Sequence, residues 1–454
     1  MPRIIVMKFG GTSVQDAAAM LNVIEIVIKK SAPVLVVASA CAGVTNSLLE
    51  AARKAGARDE KGAKKIIGSL EKHHRAIAEA IITDEGRRAM VFETIEQSCD
   101  DLRSLSHGMA IIGECSPRSL DTFASYGEIL STTILAAGFA VQIPDSFYVD
   151  VREFMITGDD FTKAKPDFDV IERRVTSELL PLFDTHTIII TQGFIGATAS
   201  GATTTIGRGG SDYSAALLGV AAGAAEIEIW TDVNGVLTAD PRIIPDAKNI
   251  AELTFNEASE LAYFGAKVLH PETIKPAIEK NIPVRVLNSR EPGHPGTLIL
   301  REIHGQQSVG VKSIASKKNI TLMNISSTRM FLAHDYLKAV FDIFEKYETI
   351  VHSIASSEVT ITVTLDDVTH LDKIIAELET FAQVKVEGNR AIVCAVGEDL
   401  RPTPGIAGRI FASLSSINVQ MISQGASETN ISFVIDEKDV EQAVKQIHAA
   451  FFAD

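Results

Sequence analysis

The sequence predicts an α/β domain built on an open, mostly parallel sheet that is sandwiched by helices, followed by two ferredoxin-like units. The first observation behind this fold class is a series of short apolar runs. Strands of a parallel sheet are buried on both faces, and they are therefore almost continuously apolar. The runs cover residues 4–9, 34–38, 140–143, 187–192, 227–231 and 282–286.

Helical patterns separate the predicted strands, for example at residues 16–30, 171–183 and 212–222. Strands that alternate with helices indicate a parallel sheet with right-handed crossover connections. We place this domain at residues 1–300. A charged and mostly helical stretch at about residues 50–119 is interpreted as a solvated helical insertion, and a substrate lid or a dimer contact is the alternative.

The second observation is a repeated pattern that follows a linker at residues 291–307. Two segments, residues 308–386 and 388–454, each show the order strand, helix, strand, strand, helix, which is typical of a ferredoxin-like unit. The second segment stops soon after its last helix and would leave its sheet with an unprotected edge. We therefore expect a strand at residues 308–314, which precedes the first unit, to cross over and complete the second unit.

Composition and charge restrict the class of partner. The chain has 454 residues and a formal net charge of −15, with 46% hydrophobic and 22% charged residues. This balance is typical of a soluble globular protein and argues against nucleic acid or a membrane as a partner. The first residues, interrupted by Lys8, do not resemble a signal peptide or an anchor. The four cysteines show no paired spacing and predict reduced thiols in a cytoplasmic protein.

Four clusters rich in Gly, Thr and Ser follow predicted strands and precede helices. Glycines let backbone N–H groups approach a ligand closely, and helix N-termini carry a partial positive charge, so such loops bind anions. Ligands of open α/β sheets bind at the carboxyl ends of the strands, and four such loops together predict a phosphoryl-transfer cleft. The sequence contains no P-loop, no strand-following GxGxxG and no eukaryotic protein-kinase signature. The clusters cover residues 8–13, 39–46, 192–196 and 207–212.

Lys8 ends the first predicted strand, beside the paired glycines Gly10 and Gly11. A lysine at the end of a buried strand is costly unless an anion or a carboxylate meets it. We therefore interpret Lys8 as a phosphate-binding cation. A strand-end lysine that extends to solvent is the alternative.

Five strings together resemble aspartate kinase of the amino-acid kinase fold, with two C-terminal ACT-type units. They are KFGGTSV, QGFIGA, TTTIGRGGSDYSAALL, WTDVNGVLTADPR and FGAKVLHP. The resemblance implies ATP-dependent phosphorylation of the aspartate side-chain carboxylate to 4-phospho-L-aspartate by a monofunctional enzyme. This step opens the route to lysine (through diaminopimelate), threonine and methionine. Mg²⁺ would accompany ATP and bridge its phosphates, and no residues are assigned as metal ligands of the protein.

The resemblance also assigns residues to the catalytic site. Glu128 would bind the α-amino group of aspartate and Arg208 its α-carboxylate, and Leu237 stands where family members often carry an aromatic residue. The catalytic residues would be Lys8, Asp212 and Lys267. Substrate would be bound by Thr45, Glu128, Phe194, Arg208 and Ser211. ATP would be bound by Lys8, Gly10, Gly11, Gly210, Thr231, Asp232, Leu237, Arg242 and Lys267.

The ACT-type units imply feedback regulation by an amino acid and pairing into a homodimer or a higher oligomer. Ala333 and His352 differ from lysine-sensitive relatives, which carry a serine and an aspartate there, so lysine, threonine and weak or absent regulation all remain open. Another amino-acid kinase and a catalytically inactive amino-acid sensor are the alternative functions. The pattern assigns the effector to Met330, Tyr336, Leu337, Val351, His352, Ser357 and Glu358.

Overall fold

The structure, a computed structural model, describes residues 3–207, 209–265, 271–303, 310–327 and 336–452. Two compact units are present. The first contains the described residues of Met1–Val236, Ala251–Phe255 and Val268–Glu302, and the second contains those of Leu237–Ile250, Asn256–Lys267 and Ile303–Asp454. Two segments numbered below 300 therefore pack with the second unit.

The first unit is built on two sheets. Their strands are β1 (Ile5–Phe9), β2 (Val34–Ala38), β3 (Phe147–Tyr148), β4 (Ile156–Thr157), β5 (Ile188–Gln192), β6 (Ile195–Thr198), β7 (Thr203–Thr205), β8 (Glu226–Thr231), β9 (Glu252–Thr254), β10 (Val284–Asn288) and β11 (Thr297–Leu300). The main sheet has eight strands in the order β3-β5-β2-β1-β8-β10-β11-β9, and a smaller sheet has the order β4-β6-β7. All pairs of the main sheet are parallel except β10 with β11.

Helices connect these strands. They are α1 (Ala17–Ile28), α2 (Val44–Gly56), α3 (Glu60–Ile81), α4 (Glu85–Ile112), α5 (Pro117–Gln142), α6 (Phe168–Arg174), α7 (Gly210–Ala221), α8 (Phe255–Tyr263) and α9 (Pro271–Glu279). The stretch predicted as a helical insertion consists of α3 and α4 with the adjoining ends of α2 and α5. Among the described residues, α5 is long and apolar enough to cross a membrane, but 61% of its apolar window is buried inside the protein, as in a core helix.

Strand β1 shows how the two faces of the main sheet are covered. Met7 and Phe9 are fully buried in the core cluster that includes residues of α1 and α5. Successive side chains of a strand point to opposite faces, so Val6 and Lys8 point to the other side. There α7 approaches closely, because a Cβ added to Gly219 would lie 3.6 Å from Cγ2 of Val6. Lys8 therefore extends toward α7 at the end of its strand.

One predicted strand is wrong. Residues 140–143 are not a strand, because α5 continues to Gln142 and is followed by the short β3. The apolar residues Ile134, Leu135 and Phe139 are fully buried along this helix. A short apolar run does not distinguish a buried strand from a buried helix, and this helix is apolar because it packs in the core.

The second unit contains one six-stranded antiparallel sheet. Its strands are β12 (Ser313–Ser326), β13 (Ser353–Ser356), β14 (Thr360–Leu365), β15 (Gln383–Val396), β16 (Met421–Gln424) and β17 (Asn430–Asp436), in the order β13-β14-β12-β15-β17-β16. Its helices are α10 (Tyr336–Lys346), α11 (Leu371–Leu378), α12 (Ile406–Ser413) and α13 (Val440–Phe452). Two separate hydrophobic clusters lie in this unit, one around Phe344 and one around Phe433.

The long strands β12 and β15 each contribute to both ferredoxin-like repeats. The first part of β12 pairs with the last part of β15, and an irregularity between Lys317 and Leu322 separates this register from the next. Ser313 and Ile314 pair with Val396 and Ala395. They are the last two residues of the segment 308–314, which is predicted to cross over to the second unit. Residues 308 and 309 of that segment lie outside the described residues. The predicted domain limits remain predictions.

Candidate active site

A cavity of about 770 Å³ lies within the first unit and receives residues from all four Gly/Thr/Ser clusters. Strands β1, β2 and β5 are adjacent and parallel, so the loops that follow them meet at one edge of the sheet. The turn before α7 completes the wall. The cavity is lined by Lys8, Gly11, residues 39–43, Thr45, Asn46, Leu49, Arg53, Leu120, Asp121, Ala124, Glu128, Thr162, Phe194, Thr205, Gly207, Gly209, Gly210, Ser211 and Asp212.

Lys8 and Asp212 form an ion pair in this cavity. The Nζ atom of Lys8 lies 2.6 Å from Oδ1 of Asp212, with side chains 11% and 17% exposed. Asp212 stands in the first turn of α7, where a carboxylate also interacts favourably with the helix dipole. The pair fixes the ammonium group at the positive end of α7. The predicted partner of Lys8 is thus in contact with it.

Glycines allow the loops to approach one another. A Cβ added to Gly11 would lie 2.9 Å from the carbonyl oxygen of Ala40, and one added to Gly210 would lie 2.7 Å from Cδ2 of Phe194. Gly209, which caps α7, has a φ of +72°, in the left-handed region that glycine adopts without strain. The first N–H groups of α7 have no intrahelical partners and are suited to bind an anion.

Glu128, on α5, presents a buried carboxyl group to the same cavity. Its Oε1 accepts a hydrogen bond from the N–H of Ala40 at 3.1 Å. Its Oε2 is buried and has no hydrogen-bond partner in the described part of the chain. Burial raises the pKa of Glu128 to about 8, although the hydrogen bond from Ala40 opposes this shift. An ammonium group in the cavity would pair with Oε2 and favour the ionised form.

The other predicted substrate residues that the structure describes also line the cavity. Thr45 lies in the first turn of α2, and Ser211 in that of α7. Phe194 has a φ of +67°, which is uncommon for a residue other than glycine. Its N–H donates to Oγ of Ser214 at 3.0 Å, which fixes the ring in the wall.

Cys41 also lines the cavity, but burial raises the pKa of its thiol to about 12. The thiolate is the nucleophilic form of cysteine, so Cys41 is unsuited to act as a nucleophile near neutral pH. Cys99 and Cys394 are likewise buried free thiols, and Cys115 is half-buried.

The predicted nucleotide residues are brought together only in part. Lys8, Gly11 and Gly210 line the cavity, and a Cβ added to Gly10 would lie 3.5 Å from Nζ of Lys8. Thr231 ends β8 and its hydroxyl donates to Oδ1 of Asp232 at 3.3 Å; neither residue lines the cavity.

Two further nucleotide residues, Leu237 and Arg242, belong to the second unit. The side chain of Arg242 is 84% exposed and pairs with Asp240 at 2.6 Å. The carbonyl of Leu237 accepts a hydrogen bond from the hydroxyl of Ser313. Arg208 and Lys267 lie outside the described residues.

The sequence interpretation missed Asp121, a fully buried carboxylate that lines the cavity from α5. Its oxygens accept hydrogen bonds from Thr162 and Thr205. Burial raises the pKa of Asp121, and these hydrogen bonds oppose the shift. Its position seven residues before Glu128 places both on one face of α5. Two carboxylates seven positions apart in an apolar helix are the sequence feature that could have indicated Asp121.

The predicted effector residues that the structure describes lie in the second unit, and Met330 lies outside the described residues. Tyr336 is buried against Phe381, Leu337 is 47% exposed, and Val351 packs against the cluster around Phe344. Ser357 and Glu358 form an exposed turn before β14.

His352 is tied to neighbouring side chains of the second unit. Its Nδ1 lies 2.7 Å from the hydroxyl of Tyr263, and its Nε2 lies 2.7 Å from Oδ1 of Asp366. Lys317 also contacts Asp366, at 2.6 Å. Although burial opposes it, the pKa of Asp366 is lowered, because Lys317 and His352 stabilise its charged form.

Comparisons with known proteins identify the family of this chain. The model described as the amino acid kinase family matches residues 3–288, and an ACT domain model matches residues 393–451. The lysine-sensitive aspartokinase 3 of Escherichia coli (strain K12) is 36% identical over 462 residues, which cover 100% of both chains. A crystal structure of E. coli aspartokinase III with aspartate and ADP (R-state) has a TM-score of 0.84 at 36% identity, covering 99% of this chain and 100% of that chain. The structure of E. coli aspartokinase III with lysine and aspartate (T-state) has a TM-score of 0.83 at 36% identity, covering 99% of each chain.

The fold defines a phosphotransferase of the amino-acid kinase fold, in which glycine loops and a lysine line a cavity at the edge of a parallel sheet. The chain belongs to the aspartokinase family. The fold class, the family and the enzyme class predicted from the sequence are thereby confirmed.

Proposed function

We propose that this protein transfers the γ-phosphoryl group of ATP to the side-chain carboxylate of L-aspartate and forms 4-phospho-L-aspartate, the first step toward lysine, threonine and methionine. The observation that carries the proposal is the Lys8–Asp212 ion pair, which lines the same cavity as Glu128, whose Oε2 has no hydrogen-bond partner in the part of the chain that the structure describes. One wall thus offers a cation and helix N–H groups to phosphates. The other offers a carboxylate to an amino group.

The reaction needs no general base, because the aspartate carboxylate is already ionised near neutral pH and is itself the nucleophile. Catalysis then depends on alignment and on positive charge around the transferring phosphoryl group. Lys8 supplies that charge, and Asp212 orients its ammonium group. The first N–H groups of α7 supply further donors.

On the acceptor side, Glu128 binds the α-amino group of aspartate, and Arg208 binds its α-carboxylate through the planar fork of the guanidinium. Thr45 and Ser211 donate hydroxyl hydrogen bonds to the substrate carboxylates, and Phe194 packs as the wall. Lys267 is the second lysine assigned to the phosphates in this proposal. Gly10, Thr231, Asp232, Leu237 and Arg242 complete the nucleotide side in this proposal.

Mg²⁺ would enter with the nucleotide. Protein sites for Mg²⁺ commonly use one or two carboxylates together with substrate phosphates rather than a full cage of side chains. Among the described residues, no group of three or more His, Cys, Asp or Glu is arranged for a metal. Asp212 lines the cavity beside α7 and would hold the ion together with the phosphates. When bound, the ion neutralises phosphate charge.

The direct test traps the acyl phosphate with hydroxylamine, using the full chain with ATP, Mg²⁺ and each candidate acceptor. We expect aspartyl hydroxamate to form from aspartate. Glutamate, N-acetylglutamate and carbamate should give far lower rates. No product from any acceptor would favour an amino-acid sensor, and a preference for glutamate would assign another amino-acid kinase activity.

We further propose that the second unit binds a feedback effector, lysine or threonine, and pairs with a second copy to form at least a homodimer in the cytoplasm. The support is the exposure of large apolar side chains in this unit, among them Ile350, Ile354 and Val368 at 65%, 49% and 51%. Sedimentation should give at least twice the chain mass of 48.8 kDa. A monomer at micromolar concentration would contradict the pairing.

A further inference from the structure

Asp121 is the most heavily hydrogen-bonded side chain that lines the cavity. Its Oδ1 accepts from the N–H of Thr162 at 3.0 Å and from the hydroxyl of Thr205 at 2.7 Å. Its Oδ2 accepts from the N–H of Thr162 and from the N–H of Thr205, both at 2.9 Å. The N–H of Thr162 is shared between the two oxygens, so three donors make these four contacts. Both oxygens of Asp121 are thus engaged by the protein, which makes this carboxylate poorly suited to bind a ligand.

The two segments that Asp121 holds are joined to each other and to the turn before α7. The N–H of Ala164 donates to the carbonyl of Thr205 at 2.9 Å. A Cβ added to Gly207 would lie 3.5 Å from the carbonyl oxygen of Thr162. Gly207 follows β7 by two residues and opens the GRGGSD turn that leads into α7. The base of that turn thus rests on the segment that Asp121 fixes.

Thr162 adopts a backbone conformation that needs such support. Its φ is +74°, which is an outlier for a β-branched residue. Conformations of this kind persist only where the surrounding structure over-determines them, and they occur at ligand-binding sites. Both oxygens of Asp121 accept from the Thr162 N–H, so the buried carboxylate holds the strained residue in place. Thr162 itself lines the cavity.

Asp121 and Glu128 are carboxylates on one face of α5 with different uses. Glu128 keeps a buried oxygen that has no hydrogen-bond partner among the described residues, which suits a ligand ammonium group. Both oxygens of Asp121, in contrast, accept hydrogen bonds from the protein itself. An asparagine at position 121 would keep the shape but replace one acceptor with a donor. That donor would face an N–H group of Thr162 or Thr205 and break the arrangement.

We propose that Asp121 is a positioning residue for the acceptor half of the site, which holds Thr162 and the end of β7 so that the turn before α7 presents its groups to the amino-acid substrate. The inference rests on the proposed function and adds to it a residue that does not touch the substrate. It predicts that loss of these hydrogen bonds impairs aspartate binding more than nucleotide binding.

The test compares four variants of the full-length chain by steady-state kinetics and by calorimetry of aspartate binding. Asp121→Asn should raise the KM for aspartate at least tenfold and the KM for ATP by a clearly smaller factor, since the turn before α7 also leads to Gly210. Thr205→Val, which removes one hydroxyl donor, should raise the KM for aspartate severalfold. Thr205→Ser keeps that donor and should restore the wild-type value within twofold. Thr122→Val is the matched control, because the Thr122 hydroxyl donates to the Arg118 carbonyl on an exposed side of α5.

Equal increases of both KM values in Asp121→Asn would overturn the proposal, as would a failure of Thr205→Ser to recover what Thr205→Val loses. If Asp121→Asn does not fold, the comparison of Thr205→Val with Thr205→Ser tests the proposal by itself. The failure of the proposed function looks different. A wild-type chain that forms no aspartyl hydroxamate refutes that function, whereas the order of calorimetric aspartate affinities among the variants still supports or overturns the role of Asp121.

Discussion

Lys8 illustrates how one residue position follows from strand geometry. Met7 and Phe9 are buried in one core, so the alternation of the strand directs Lys8 to the face that α7 covers. There it meets Asp212. A lysine so placed would be costly without this carboxylate or a bound anion. The sequence was sufficient to predict this residue, because the strand end and the paired glycines are local features.

Lys8→Met should remove a cation that stabilises the transferring phosphoryl group. We expect a loss on the order of 3 kcal/mol in activation free energy, which is roughly a hundredfold in kcat. The hydroxamate assay measures this effect. Lys54→Met is the control, since Lys54 forms only weak surface ion pairs on α2, at 3.5 and 3.9 Å. Near-wild-type turnover of Lys8→Met would exclude the assigned role.

Glu128 gives the site a pH dependence. With a pKa of about 8, its carboxyl group is mostly protonated at pH 7, and an incoming ammonium group favours the charged form. Aspartate binding at pH 7 should therefore release a proton, and the Kd for aspartate should fall as the pH rises from 6.5 to 8.5. Calorimetry in buffers of different ionisation enthalpy measures that proton.

Glu128→Gln should bind aspartate more weakly and without this release. The same substitution should also change how the free energy of unfolding depends on pH. The folded-state pKa of Glu128 lies above its ordinary value of 4.5, so the native protein retains a proton that the unfolded chain loses. This group lowers the free energy of unfolding as pH rises from 4.5 to 8. A wild-type Kd that is flat across the range would contradict the role of Glu128.

Strand position predicted Lys8 and the family resemblance predicted Glu128, whereas a residue that only holds other residues was not predicted. Glu128 was assigned through its motif. Asp121 was missed because its role depends on Thr162 and Thr205, which lie 41 and 84 positions away along the chain. No local pattern predicts which backbone N–H groups a buried carboxylate will accept from. Such positioning contacts depend on tertiary structure.

At the scale of elements, the apolar run at residues 140–143 shows the limit of periodicity. It was interpreted as a strand, yet it ends α5, and the strand that joins β5 is only two residues long. A helix buried on most sides loses its polar stripe and resembles a buried strand in a short window. The exposed helices α3 and α4 keep that stripe, and their helical nature was predictable.

His74 on α3 provides a prediction about stability. It is fully buried in the helical stretch, and its Nδ1 contacts the carbonyl of Leu70 at 2.7 Å. Burial lowers the pKa of His74 from 6.5 to about 4. Between these values the unfolded chain binds a proton that the folded protein does not. The free energy of unfolding should therefore fall as pH drops from 6.5 to 4, by on the order of 3 kcal/mol from this group.

His74→Phe should remove most of that acid-dependent loss, as measured by urea unfolding at pH 7, 5.5 and 4.5. The neighbouring His73 is exposed, so His73→Gln is the matched control and should leave the dependence unchanged. If the free energy of unfolding falls equally at low pH in His74→Phe and in the wild type, groups other than His74 cause that fall.

At the scale of the whole molecule, the repeat in the sequence was sufficient to predict two ferredoxin-like units and a strand that crosses between them, but not that this strand continues into the first strand of the first unit. The structure contains one six-stranded sheet in which β12 and β15, of 14 residues each, pair along their whole length. The continuity of β12 across the predicted boundary was not visible, because Lys317 and Lys318 interrupt the apolar pattern there. The irregular register at this point accommodates them.

Feedback inhibition is a property of the whole molecule, and His352 makes a specific prediction about it. The family resemblance predicts effector positions in the second unit and implies an aspartate where His352 stands in lysine-sensitive relatives. The two ring nitrogens of His352 contact Tyr263 and Asp366, so they are already occupied within the second unit. A carboxylate that could attract the lysine ammonium group is absent from this position. Inhibition by lysine should therefore be weak in the wild type.

His352→Asp should restore a negative charge and lower the lysine concentration for half-inhibition at least fivefold. His352→Asn is the matched control, because it also breaks the contact with Tyr263 but adds no charge. The hydroxamate assay with a lysine titration measures both variants, and a threonine titration shows whether the change is selective. The nearby Lys317 reduces the repulsion between a new carboxylate and Asp366. If His352→Asp and His352→Asn respond to lysine identically, charge at this position does not select the effector.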